Sequence, residues 1–262
     1  MRLTDSMVMG SLLACASSLV LSPSRYDLFL TELVGTLLTV CMVIGSNSLV
    51  GMVSGLSAYV GAYEAGLIFC VSIVAIDRLV GGPKNNPIFS LTMVVWGQSE
   101  VLDAIIEIAG QVAGGILGYP ILSSLAKMYK KKMGGPACDL ATTDLQTAAI
   151  SEAASSFLLV TIVACLGMTR IGKVYWVKQP AIAAGIRAIV NQAFFAVTGP
   201  GMNPVLPTTY AFFANSTWPT DWEHYFIYWA SAAVGGLAAA VLFKIVLGID
   251  RPAEVTKAKK KD

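Results

Sequence analysis

The chain has 262 residues, 55% of them hydrophobic and 13% charged, with a formal net charge of +2. Soluble domains carry about 25% charged residues, so this deficit and a mean hydropathy of +0.68 exclude an ordinary water-soluble globule. The small net charge gives no sign of a nucleic-acid surface, and the five cysteines form no Cys-x-x-Cys or His/Cys spacing that would suggest metal or redox chemistry.

In chain order, the first feature is Met7–Leu21, a short apolar stretch preceded by Arg2 and containing Ala14-Cys15-Ala16. It imitates a signal peptide. The alternative is a retained interfacial segment, and residues 1–27 are assigned to that, because the later runs already make a complete set. Those runs are Phe29–Gly51, Ala58–Val80, Val101–Met128, Leu145–Met168, Pro180–Val197 and Tyr225–Gly248. Each is near the roughly 20 residues a helix needs to cross the hydrocarbon layer. Six crossings put both termini on one side. Arg25, Arg78, Lys84, Arg170, Lys173, Lys178 and the tail lysines gather there, which marks it as cytosolic. Lys127, Lys130, Lys131 and Lys132 run against this pattern. The layout is a channel-sized domain at 28–248, with halves 28–128 and 145–248, followed by a basic tail at 249–262.

The two halves repeat. A mid-membrane Glu32 is followed by Gly82-Pro83-Lys84-Asn85-Asn86-Pro87, and Glu152 by Gly199-Pro200-Gly201-Met202-Asn203-Pro204. Three spans per half give the copies opposite orientation, an arrangement that places a functional site at the midplane. The apolar stretches Ile88–Gly97 and Val205–Phe213 are too short to span and read as re-entrant. Asn favours the N-cap and Pro the first helical position, so each Asn-Pro opens a half-helix with its positive end inward. The predicted fold is all-α: six transmembrane helices plus two re-entrant half-helices. The pore midplane is assigned to Asn86, Pro87, Ile88, Asn203, Pro204 and Val205, whose Asn amides would donate to a passing solute. Pro207 lacks an N–H for the Asn203 carbonyl, so the second half-helix is expected to start less regularly.

At these residues the chain resembles the major intrinsic protein (aquaporin) family from Leu28 to about Gly248. Glu32-Leu33-Val34-Gly35-Thr36, Gln111-Val112-Ala113-Gly114-Gly115, both Asn-Pro segments and His224-x-x-x-Tyr228-Trp229 carry the resemblance. It implies that Glu32 and Glu152 accept hydrogen bonds from the two dipping loops. It also implies a narrow filter at Gly66 (or its neighbour Ala65), Asn191, Pro200 and Leu206. Here Leu206 stands where the family commonly has Arg, and Pro200 where a mercury-sensitive Cys often lies. With Asn-Pro-Ile and Asn-Pro-Val in place of Asn-Pro-Ala, the pattern is similar to the unorthodox branch of animal superaquaporins and plant small basic intrinsic proteins. That implies an endoplasmic-reticulum membrane, a homotetramer with one pore per subunit, and passage of water, glycerol or hydrogen peroxide.

Other features have plainer readings. Arg187 lies four residues before Asn191 and either lines a vestibule or snorkels to the interface. The small residues Gly110, Gly114, Gly118 and 235–240 suit close helix packing. Asn215-Ser216-Thr217 is a glycosylation sequon. The leading function is a passive channel for water and small neutral solutes in the lipid bilayer, with no cofactor. The alternative is a structural or adhesion protein whose pore is closed by the bulk of Ile88 and Val205. No nucleophile–base or metal spacing supports an enzyme.

Overall fold

A computed structural model describes residues 23–45, 58–128, 134–168 and 174–247. Met7–Leu21, Lys130–Lys132 and the tail from 249 lie outside the described residues. Helix α1 is Pro23–Leu38, continued by a π turn at Thr39–Ile44. Then come α2 (Ala58–Val80), α3 (Pro87–Val95), α4 (Val101–Met128), α5 (Leu145–Met168), α6 (Tyr175–Val190), the short α7 (Ala193–Ala196) and α8 (Val205–Asn215). Helix α9 is Trp222–Tyr225, a π segment Phe226–Ser231 and Ala232–Leu247 in succession. No strand occurs among the described residues. Four helices there are long and apolar enough to cross a membrane: Ser24–Ile44, Val101–Met128, Leu145–Gly167 and Trp222–Val246. Helices α2 and α6 complete the six-helix set, with α3 and α8 as half-helices.

Four boundaries differ from expectation. Helix α1 already includes Pro23, six residues before Phe29, and its Arg25 is anchored to Asp103 (2.9 Å) and Glu100 (3.2 Å) at the start of α4. The division drawn at 27/28 therefore falls inside a helix. Helix α6 starts at Tyr175 and places Pro180 in its interior, then ends at Val190, well short of Val197. The last span begins at Trp222, three residues before Tyr225.

Pairing follows the repeat. Helix α1 lies along α4 and α5 along α9, while α2 packs on α6. Lipid supplies no hydrophobic drive between helices, so contact depends on how closely backbones approach. A β-carbon on Gly110 would stand 2.5 Å from the Phe29 carbonyl oxygen. In the second half Gly235 lies directly against the Ala153 carbonyl, so any side chain there collides with main chain. The half-helix α3 is held at its outer end by α9. At the outer end of α3, the Trp96 indole donates to the Ala240 carbonyl (3.0 Å) and the Lys244 ammonium to Val95 (2.8 Å). That cation faces the negative end of the helix dipole.

Candidate functional site

The inner ends of α3 and α8 meet head to head through their motif asparagines. Asn86 caps α3 by accepting from the Ile88 N–H (2.9 Å), and its Nδ2 donates to the Met202 carbonyl (2.7 Å). Asn203 accepts from the Val205 N–H (3.1 Å), and its Nδ2 donates to the Asn85 carbonyl (2.5 Å). Each amide thus spends one N–H on the opposite loop. An amide nitrogen carries two, so one donor per asparagine is left for the space between the loops.

The residue before each asparagine is left-handed: Asn85 has φ 55° and Met202 φ 44°. Asn tolerates this conformation, whereas a non-glycine residue such as Met holds it at a cost of about 1–3 kcal/mol. The buried carboxylates hold both turns. Glu32 accepts from the N–H groups of Lys84 (2.7 Å) and Asn85 (2.8 Å), and Glu152 from those of Gly201 (2.8 Å) and Met202 (2.9 Å). Gln111 donates to Glu32 (2.8 Å) and to Ser90 on α3 (3.2 Å), tying span, loop and half-helix together. On the second loop, Tyr228 donates to the Thr198 carbonyl (2.8 Å), and the Trp229 indole to the Thr208 hydroxyl (2.9 Å). His224 meets the same hydroxyl at 3.0 Å, so His224 and Trp229 clamp α8 while Tyr228 holds the loop before it.

The second half-helix does start less regularly. Helix α3 begins one residue after Asn86, but α8 begins two after Asn203. The Asn86 carbonyl accepts from both Phe89 and Ser90, while that of Asn203 accepts from Leu206 (3.2 Å), residue 207 being Pro. Leu206 nevertheless stays helical, and its carbonyl accepts from the buried Tyr119 hydroxyl (3.0 Å).

A cavity of about 920 Å³ passes between the loops. Its lining includes Asp77, Lys178 and Gln179, then Asn86, Phe89, Met202 and Asn203 around the meeting of the two motifs, and Gly135, Pro136, Pro200 and Leu206. Of the expected midplane residues, only the two asparagines reach its wall. Ile88 and Val205 are fully buried, and Ile88 packs against Gly236 on α9. Their bulk therefore fills helix contacts and leaves the cavity alone. Pro87 and Pro204, as helix starters, also stay off the wall.

Of the filter positions, Pro200 and Leu206 line the cavity, but Gly66 and Asn191 do not. Helix α6 ends at Val190, and Asn191 caps it from an exposed position, with its N–H bonded back to Arg187. The wall-facing stripe of α6 is Ile182, Ile186, Arg187 and Val190. On α2 it is Phe69, Ile73, Ile76 and Asp77. Sequence reasoning passed over Phe89 and Met93, although their spacing from Asn86 marks one face of a helix. Asn215 is exposed at the end of α8, followed by the left-handed Ser216.

Comparison with known proteins gives the same architecture. A family profile described as Major intrinsic protein matches residues 20–243. Aquaporin SIP1-1 from Arabidopsis thaliana is 31% identical over 174 residues, covering 66% of this chain and 64% of that protein. Aquaporin A from Dictyostelium discoideum is 27% identical over 227 residues, covering 84% of this chain and 78% of that one. Among solved structures, the aquaglyceroporin from Plasmodium falciparum superposes with a TM-score of 0.68 at 18% identity. The match covers 85% of this chain and 97% of that one, a likeness of fold.

Proposed function

The chain belongs to the major intrinsic protein family of membrane channels, on the small basic intrinsic protein-like side of it, and we propose that it passes water and small neutral solutes through the cavity between its two Asn-Pro motifs. The observation that carries this reading is the cavity itself, whose lining joins Asn86 and Asn203 to residues of both dipping loops and of α2 and α6. Each half-helix directs about half a positive elementary charge inward, which disfavours a cation there, as in the aquaporin-type pores that serve as the standing example of this barrier. The free N–H of each asparagine replaces a hydrogen bond that water, glycerol or hydrogen peroxide gives up on leaving bulk solvent.

Leu206 gives the wall neither charge nor donor, so the wide chemistry of that end favours permissiveness over strict water selectivity. Four subunits, each with its own pore, in an endoplasmic-reticulum membrane with both termini cytosolic complete the proposal. Nothing specific favours the closed-pore alternative, since the side chains invoked to close it point into helix packing. Swelling of proteoliposomes in iso-osmotic glycerol, and peroxide uptake by the same vesicles, test the solute range. Both should exceed empty vesicles; rates equal to empty vesicles for both solutes would leave water alone and refute the permissive filter.

A further inference from the structure

Resting on that channel reading, the connection between α4 and α5 supplies a stretch of cavity wall that the Asn-Pro motifs do not. Gly134, Gly135 and Pro136 line the cavity together with Pro200 and Leu206. Contacts on two sides fix this stretch. Gly135 lies directly against the Tyr210 ring, so a side chain at that position would collide with it. Tyr210 stands one helical turn beyond Leu206 on α8. Its ring centroid is 5.4 Å from that of the buried Tyr119, whose hydroxyl donates to the Leu206 carbonyl. On the other side, a β-carbon on Gly199 in the second loop would stand 3.1 Å from both the Ala137 nitrogen and the Pro136 Cα. The next residue along, Cys138, packs against the cluster of Ala148, Ile227 and Tyr228.

Gly134 differs from its pinned neighbour. It is exposed, and a β-carbon there would meet no described atom within 4 Å, its chain neighbours aside. In aquaporin-type pores the passage of neutral solutes depends on the bore and on the donors and acceptors along the wall. Glycine, proline and leucine bring no side-chain donor or acceptor, so on this stretch side chains act through size alone. We infer that Gly134 is a specificity-determining position of this pore. Its missing side chain keeps the bore beside the second loop wide enough for a small polyol as well as for water. A side chain added there would leave the packing of residues 135–138 undisturbed and would take its room from the cavity.

The test compares wild type and G134C in proteoliposomes, before and after methanethiosulfonate reagents carrying a methyl or a benzyl group. Water and glycerol permeability are recorded, and mass spectrometry reports labelling at position 134. Wild type has no described cysteine on the cavity wall, so its fluxes should not change. G134C carrying the methyl group should lose more of its glycerol flux than of its water flux. The benzyl group should remove most of both, and a reductant should restore them. A labelled G134C that conducts both solutes as before overturns the assignment, as does a position the reagents cannot reach. A wild type that passes water but no glycerol overturns the width assigned here and leaves the channel standing. One that passes no water refutes the channel reading, a separate outcome. If G134C is not recovered folded, G134F stands in without reagent: loss of glycerol flux beyond that of water supports the assignment, and wild-type fluxes overturn it.

Discussion

Glu32 and Glu152 hold two backbone N–H groups each, in loops where water cannot easily replace them. A buried N–H left unsatisfied costs about 1–3 kcal/mol, and Met202 also needs its left-handed turn held. Replacing Glu152 with Leu should therefore lower the thermal unfolding midpoint in detergent and abolish flux, while E152Q, which keeps one carbonyl acceptor, should retain part of both. Equal midpoints for E152L and wild type would show that the loop is held by something else. The role of the two glutamates comes from the family resemblance: from the residues alone an ionisable group in a span marks only a candidate functional site, and their bonds to the loops are seen in the structure. Asn191 was not correctly legible. The resemblance that implied it takes no account of where α6 ends, and helix ends are set by local backbone bonds such as Asn191 N–H to the Arg187 carbonyl. Arg187 reads from the sequence as either a vestibule or an interface residue, and the structure puts it on the cavity wall.

The helices meet through small residues, so their pairing should fail by steric replacement more than by loss of polarity. Gly235 abuts the Ala153 carbonyl and Gly114 the Leu33 carbonyl. Overpacking a tight contact costs about 1–3 kcal/mol or more. Gly235→Leu should thus separate α5 from α9 and lower recovery of folded protein, whereas Val234→Leu, at an exposed position beside it, should leave the midpoint unchanged. If G235L melts with wild type, the close approach has been misjudged. The spans α2, α4 and α5 were readable from apolar runs bounded by polar or Pro/Gly segments, to the residue at Val80, Val101 and Leu145. The ends of α1 and α6 were not, since Arg25 and Lys178 extend helices beyond their apolar runs. The half-helices were readable because Asn and Pro act as local signals. Which face of each turns to the cavity required knowing what covers the other face: Ile88 is claimed by α9, which leaves Phe89 and Met93 for the pore.

For the whole molecule, the cavity has no described cysteine on its wall: Cys41, Cys70, Cys138 and Cys165 all lie elsewhere. Burial also pushes the Cys138 thiol up from its usual range, with the Glu152 and Asp139 carboxylates adding to the effect, so little reactive thiolate forms near neutral pH. Water flux should be insensitive to mercurials; inhibition that disappears in C70A would place that sulfur within reach of the pore. The central claim is that the space between Asn86 and Asn203 conducts. Its most direct test is the shrinkage rate of proteoliposomes after a hyperosmotic step, taken at several temperatures. A conducting cavity predicts shrinkage faster than in empty vesicles and with a weaker temperature dependence than the bare bilayer. Rates and temperature dependence indistinguishable from empty vesicles would contradict it.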